Sequence, residues 1–574
     1  MKLAFRLSFF QSKSFIYANI FILFFLVNVI AYNINWKLDL SKGNINTLSG
    51  STKKVLNQLK YPLLIEAYIS RDIPGQIFSQ LQPIIYQLED IQRQNHSLIQ
   101  LKIIDPNNEE LRSLASKRGI QGIPIEEAEI DKASVRLGYF GVYLQYTDRH
   151  TTFSLVEQGG ILSNFEYVFL KEVKKLLQDP DTRISGIGYL NTEGTGKFRR
   201  WQTRLDMDKD NYFAFKNFIE KEMGEIREIQ LDQPIPDTIE TLLVIGLPNI
   251  TQKEQVYLDQ FLLRGGNLIL MLKGFDFTIT PPNPQLMQLG LSSGSRGFTT
   301  IPDELKIWNE FLGKYGLGIN ERVILEPNLA APEIDILGQF LGRYPNPSWA
   351  VYTAENNNIL SDVEFLRYIP MVIFPWFSDL RYNPNVQPQV KYKVLIQTSD
   401  EIIARKQTSL ELKDLQFLDK NTEGQEKIPQ QLPVMILAQG KFQSAFKDEY
   451  QTLDIDPNLK ANFNTGQLGN TEGRILLIGT PYLVSDIFFR NEANMEYFKI
   501  NFAFVQNVIE YFQGDLDLLE VRSKIPILPV IQLQLPKELQ TAFAWFHTLT
   551  IPVLFAIYGF LRLKKRYQKR GDDL

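Results

Sequence analysis

The turn Asn191-Thr192-Glu193-Gly194-Thr195-Gly196-Lys197-Phe198 has the residue types and spacing closest to phosphate chemistry in this chain. A phosphate loop needs Gly, four residues, then Gly-Lys and a Ser or Thr, because backbone N–H groups wrap the phosphate while the hydroxyl reaches magnesium. Asn191 and Phe198 occupy the first and last of those positions, so the turn reads as a flexible connection after a strand. Nucleophilic catalysis is thinly provided for. There are 3 histidines: His96 ends an amphipathic stretch, His150 stands among Arg149, Thr151 and Thr152, and His547 opens an apolar segment. The 0 cysteines remove disulfides, Cys-zinc sites, thiol redox chemistry and thiol nucleophiles together, and fit an oxidising compartment. Neither a cofactor nor a metal site is expected. With 65 acids in 574 residues, adjacent carboxylates arise by chance, and Glu109-Glu110 and Glu126-Glu127 read as solvated faces. A net charge of −4 without a central basic stripe argues against nucleic-acid binding.

At roughly 150 residues per domain, this length predicts three or four structural units. After residue 47, Thr47, Ser49 and Ser51 are candidate N-caps for a helix through Val55, Leu56 and Leu59. Leu63–Ser70 reads as a strand. Leu81, Ile84, Ile85, Leu88 and Ile91 recur at helical spacing, and Leu98–Pro106 reads as a second strand. A short helix at 109–117 then leads to Gly119-Ile120-Gln121-Gly122-Ile123-Pro124. Strand, helix, strand, helix and a Gly-Ile-Pro turn resemble a thioredoxin-like unit over 33–180. In that fold the proline is usually cis and starts a strand. Ser70-Arg71-Asp72-Ile73-Pro74 stands where redox cysteines would be, so such a unit could bind a partner, with Ile123 and Pro124 as candidates. An ordinary α/β unit is the alternative.

From residue 181 to 514 the pattern becomes βα alternation. Leu242-Leu243-Val244-Ile245 and Leu268-Ile269-Leu270-Met271 are continuous apolar runs, the mark of strands covered on both faces. A helix over 252–263 ends at Arg264-Gly265-Gly266, and a Gly pair is a suitable C-cap. The expected fold is therefore a Rossmann-like, doubly wound parallel sheet, with a β-rich insertion at about 275–430 and resumption at 433–440. Ligands of such sheets lie at the C-terminal ends of strands. Asn191, Thr192, Glu193, Gly194, Arg264, Gly265 and Gly266 are the candidates for that edge.

Two apolar segments flank this body. Residues 15–32 are uncharged and follow Lys2, Arg6 and Lys13; residues 542–561 are uncharged and precede Arg562, Lys564, Lys565, Arg566, Lys569 and Arg570. About 20 apolar residues span a bilayer, and basic flanks stay inside. Two transmembrane helices are expected, with 1–14 and the basic tail 562–574 cytoplasmic, the bulk extracytoplasmic, and 515–541 a connector. A cleaved secretory signal is the alternative for the first segment, a buried core helix for the second.

The order of these features resembles the auxiliary components of ABC-type transport systems, in particular the GldG-like gliding-motility auxiliary family. The resemblance rests on Leu48-Ser49-Gly50-Ser51-Thr52-Lys53-Lys54-Val55-Leu56, on Ile104-Asp105-Pro106 with Gly119-Ile120, on Leu243–Pro248, on Asp259–Gly266, on Gly473–Gly479 with Asp486, Asn501 and Asn507, and on Val521-Arg522-Ser523-Lys524. The chain departs from the family at Asn191-Thr192-Glu193-Gly194, where a Gly-His-Gly-Glu turn is frequent. The resemblance implies a non-catalytic accessory subunit in the bacterial inner membrane, partnered by an ABC permease and a cytoplasmic ABC ATPase. Alternatives are an envelope scaffold and a carboxylate-dependent extracytoplasmic hydrolase.

Overall fold

The computed structural model describes residues 47–129, 132–157, 160–162, 164–177, 186–203, 207–280, 296–332, 345–360, 363–366, 369, 371–406, 408, 425–447, 449, 469, 471–490, 492–514, 516–522, 550 and 558–562. The chain divides into two compact units, Met1–Ile525 and Pro526–Leu574.

The first unit opens with α1 (Gly50–Asn57), whose N-cap Ser49 accepts from Thr52 N. Then follow β1 (Leu63–Ile69), α2 (Gly75–Gln94), β2 (Ile99–Ile104), α3 (Glu109–Lys117), β3 (Ile123–Glu129), β4 (Lys132–Gly138), β5 (Phe140–Tyr146), β6 (Arg149–Ser154) and α4 (Phe165–Leu177). Four of these strands form one sheet in the order β2-β1-β5-β6. β2 runs parallel to β1; β5 is antiparallel to β1 and β6 to β5. The helical spacing of Leu81, Ile84, Leu88 and Ile91 puts one face of α2 into the core with Leu63, Ile65, Val142 and Leu144.

Pro124 departs from expectation. No cis peptide occurs among the described residues. Ile123 and Pro124 open β3, which pairs only with β4 as a separate hairpin, Ile123 opposite Gly138 and Pro124 opposite Leu137. A proline is tolerated there because a hairpin has outer edges that need no N–H donor.

The second part is built on β7 (Ile187–Leu190), α5 (Phe213–Met223), β8 (Arg227–Ile229), β9 (Thr241–Ile245), α6 (Gln252–Leu263), β10 (Asn267–Met271), α7 (Glu304–Gly313), β11 (Val390–Gln397), β12 (Pro433–Gly440), β13 (Gly473–Ile478), α8 (Glu492–Phe512) and α9 (Leu516–Arg522). The seven strands form one sheet, β8-β7-β9-β10-β13-β12-β11. Alternate residues of its central strands face opposite sides. Leu243, Ile245, Ile269 and Met271 pack with Phe215 and Ile219 of α5 and Val505 and Ile509 of α8. Leu242, Val244, Leu268 and Leu270 pack with Phe261 of α6 and Trp308 of α7. Both faces are covered, so the strands lack polar alternation. α6 starts on a capping box between Thr251 and Glu254.

The expected fold class needs correction on three counts. The sheet is not wholly parallel: β12 is antiparallel to β13 and to β11. Its apolar run looked like a parallel strand because coverage on both faces, not direction, sets that pattern. The stretch 275–430 is not wholly an insertion, since β11 lies within it and closes the sheet edge. Among the described residues that stretch also holds α7 and small antiparallel sheets, among them Asp276–Thr280 with Arg296–Thr300, and Ala330–Pro332 with Pro345–Thr353 and Met371–Pro375. Nor are two flanking membrane helices supported: among the described residues no helix is long and apolar enough to cross a membrane. Residues 15–32 lie outside the described residues, as do those of 542–561 other than 550 and 558–561. Among the described residues the fold is a mixed α/β one with one seven-stranded sheet, one four-stranded sheet and several small ones.

The last described helix of the first unit returns to its beginning. Glu520 of α9 accepts from Gly50 N at 3.0 Å and from the Ser51 N–H and hydroxyl. Asp517 pairs with Lys54 and Lys174, each at 3.3 Å. Beneath them Arg522 reaches Glu510 at 2.7 Å, Asn507 at 2.8 Å and the Tyr167 hydroxyl. Within the expected connector 515–541, residues Leu516–Arg522 form the helix α9.

Candidate functional site

β7 and β9 are adjacent and parallel, and their followers β8 and β10 diverge to opposite sides. A doubly wound sheet opens its ligand crevice at such a point. Here the chain's own backbone fills it. Gly196 N donates to Ile245 O at 2.8 Å, Leu247 N to Gly194 O at 3.0 Å, and Asn249 N to Glu193 O at 3.1 Å. Gly194 and Gly246 have φ of +87° and +108°, and a Cβ on either would sit 2.5 or 2.6 Å from the opposing carbonyl oxygen. Glycine is therefore required at both. Thr192 O accepts from the Thr195 hydroxyl, and Asn191 donates to Glu228 at 2.8 Å. Asn191, Thr192, Glu193 and Gly194 together seal the C-terminal edge.

Beside this seal lies a knot of charges that sequence reading missed. Lys209 Nζ stands 2.5 Å from Asp210 and 2.8 Å from Asp276, and Lys273 Nζ stands 2.7 Å from Asp276. The Lys209 ammonium also lies over the Phe277 and Tyr482 rings. Burial alone would raise the Asp276 carboxyl, but the Lys273 and Lys209 ammonium groups outweigh it and hold it at about 2. Lys273 follows β10, whereas Lys209 and Asp210 belong to the segment before α5. The knot ties that segment to the sheet edge. The hydroxyls of Tyr212 and Tyr482, buried nearby, have no hydrogen-bond partner in the structure.

Asp486, a residue of the family resemblance, caps α5 from a distant part of the chain. Its carboxylate accepts from Phe213 N at 3.0 Å and Ala214 N at 2.9 Å, where α5 lacks a side-chain cap of its own. Burial pushes this carboxyl up to about 7, against the opposing pull of those N–H groups. An acid whose folded-state value is raised holds its proton longer than the unfolded chain does. Its contribution is therefore most favourable at low pH and is lost as pH rises from about 4 to about 7. Melting curves of wild type and Asp486→Asn across that window are expected to diverge, with the variant gaining relative to wild type as pH increases. Parallel curves would refute the assignment.

Arg264, Gly265 and Gly266 lie at the other end of the sheet. They precede β10, whereas Asn191–Gly194 follow β7, and the two strands run in one direction through β9. The two groups of candidates are not brought together. Arg264 donates to Ile235 O and Pro236 O, each at 2.7 Å, and to Ile239 O, and pairs with Asp237 at 3.0 Å. It staples the loop before β9 to the end of α6. With Gly265 and Gly266 it borders a cleft of about 420 Å³, also lined by Asp237, Glu240, Asn267 and Thr471.

Other elements of chemistry stay dispersed. Among the described residues no group of three or more Asp, Glu or His is placed to hold a metal. Gly290-Leu291-Ser292-Ser293-Gly294 has the spacing of a nucleophile elbow, but lies outside the described residues.

Residues 187–508, from β7 into α8, match a family model described as an ABC-type uncharacterized transport system. The chain belongs to that family. The matched region of this ABC-type auxiliary component contains the sealed edge, the charge knot, Asp486 and the cleft. A second model, described as a domain of unknown function (DUF7088), matches residues 42–145 and includes Ile123 and Pro124. No curated protein matches. A solved structure, the mmIFT52 N-terminal domain, is 11% identical with a TM-score of 0.27, covering 57% of this chain and 96% of that one.

Proposed function

We propose that this auxiliary component of an ABC-type transport system is a non-catalytic subunit of the GldG-like kind. It works on the extracytoplasmic side of the bacterial inner membrane, beside an ABC permease whose ATPase is cytoplasmic. The observation that carries the reading is the family match over the whole seven-stranded sheet. The sealed switch point supports it, because backbone occupies the place where an enzyme of this architecture would seat its ligand. The absence of cysteine fits the extracytoplasmic side. Such a subunit works through its outer surfaces.

Purification of the tagged full chain from gently solubilised native membranes, followed by mass spectrometry, tests this. Recovery of a permease and an ABC ATPase in constant ratio is the expected result. Recovery of the chain without either, under several solubilising conditions, would overturn the reading.

A further inference from the structure

β2 is an edge strand: among the described residues it has a neighbour, β1, on one side only. The pairing decides which of its backbone groups are in use. Leu63 N donates to Leu98 O at 2.7 Å, and Leu63 lies opposite Ile99. In a parallel ladder this turns the peptide groups of residues 98, 100, 102 and 104 toward β1. Those of Leu101 and Ile103 point outward, as does the Ile99 carbonyl. Ile99 N is taken by Asn95 O.

An edge of this kind is ordinarily blunted by a proline, a bulge or a charge. β2 pairs with β1 without a register shift and contains no proline. Its one charge, Lys102, is drawn over the sheet face to Glu66 at 3.5 Å. The margins of the edge are apolar. Leu98, Leu101, Ile103 and Ile104 are only half-buried. α2 packs on β2, and Gln94 at its end donates to Asn57 of α1. α1 also touches α4, which packs on β5 and β6, so that flank of α2 faces the middle of the sheet. At about 100° per residue, the opposite flank, on the side of the free edge, carries Phe78 and Ile85, both half-buried. The charges on α2 are matched: Arg93 reaches Glu89 and Asp90 at 3.4 and 3.0 Å.

The strand is also complementary to itself. With a twofold axis at Leu101, an antiparallel copy sets Leu101 opposite Leu101, Ile99 opposite Ile103, Gln100 opposite Lys102 and Leu98 opposite Ile104. The outward groups then meet, Leu101 N–H with Leu101 O and Ile103 N–H with Ile99 O, each twice by symmetry. Asp105, beyond the strand, falls opposite Ser97. An axis at Lys102 would set two ammonium groups face to face, and an axis at Gln100 would carry Ile103 past the end of the paired strand.

We propose that β2 pairs edge to edge with β2 of a second copy of this chain, antiparallel and centred on Leu101, so that two four-stranded sheets become one. The proposal stands apart from the accessory-subunit reading. Sedimentation equilibrium of the full chain in mild detergent is expected to show monomer and dimer in exchange. Gln100 is exposed, so changes there leave the melting temperature unaltered. Gln100→Lys opposes two lysines twice and should weaken the dimer roughly fivefold, and Gln100→Glu should strengthen it by a similar factor. The chain has 0 cysteines, so a short bis-maleimide reacts with Gln100→Cys at that position alone. The two residues would stand about 8 Å apart, two residues along and one strand across, and a cross-linked dimer is expected. A wild type that stays monomeric, or equal association of Gln100→Lys and Gln100→Glu, would overturn the proposal. So would a monomer whose Leu101 and Ile103 N–H groups are protected from hydrogen exchange, since another segment of the same chain would then cover the edge.

Discussion

Arg522→Ala is expected to destabilise the folded body by about 3–5 kcal/mol, because it strands a buried carboxylate. The side chains of Arg522 and Glu510 are only 9% and 3% exposed and stand 2.7 Å apart. Burial alone would lower the affinity of Arg522 for its proton, but the Glu510 carboxylate more than reverses this. Tyr167 and Gln506 also donate to Glu510, yet neither carries a charge to balance it. Removal of both charges is a different matter. Arg522→Met combined with Glu510→Met keeps the volume and removes both desolvation terms, so it should recover most of the loss. Urea unfolding of wild type, Arg522→Ala and the double variant gives the comparison. If the double variant were as unstable as Arg522→Ala, the ion pair would not be the source of the effect.

The second large effect is expected at Asp259, which is fully buried in α6. It accepts from the Tyr315 hydroxyl at 2.5 Å, the Ser444 hydroxyl at 2.8 Å and Ala445 N at 2.8 Å. These donors come from chain segments 56, 185 and 186 residues away. Asp259→Ala leaves all three without an acceptor, and at about 1–3 kcal/mol for each buried orphan the total should reach roughly 3–5 kcal/mol. Asp259→Asn retains one oxygen, and the Ser444 hydroxyl can turn to accept from the new amide, so its cost should be nearer 1–2 kcal/mol. Thermal unfolding of both variants checks the order. Equal losses would mean that side-chain size, not hydrogen bonding, matters at this position.

Apolar runs located β9 and β10, since runs this short, bounded by Gly246-Leu247-Pro248 and by Gly265-Gly266 and Gly274, suit a strand covered on both faces better than a buried helix. Helical spacing located α2, and the limits of α6 were readable from Thr251 at one end and Gly265-Gly266 at the other. The direction of β12 was not readable, because an apolar run looks alike in parallel and antiparallel strands. The charge knot was hidden for another reason: Lys209 and Asp276 are 67 residues apart, and only the closed sheet brings them together. The placement of Arg264, by contrast, could have been read. A residue that precedes a strand lies at that strand's N-terminal end, opposite the turn that follows β7. The seal over the switch point had a signal as well, in the glycines at 194, 196 and 246 where two backbones touch.

The contacts of Glu520 with Gly50 and Ser51 have a mechanical consequence. They bring the point where the chain enters the described body to within a side chain's length of the point where it leaves. Tension applied between the segments before residue 47 and after residue 522 would cross this short bridge of two carboxylates, one hydroxyl, two backbone N–H groups and the Lys54 ammonium. Both sheets would be bypassed. The body would hang from its two leads as a pendant does from a clasp, and the first structure to yield under load would be the clasp, with every strand still paired.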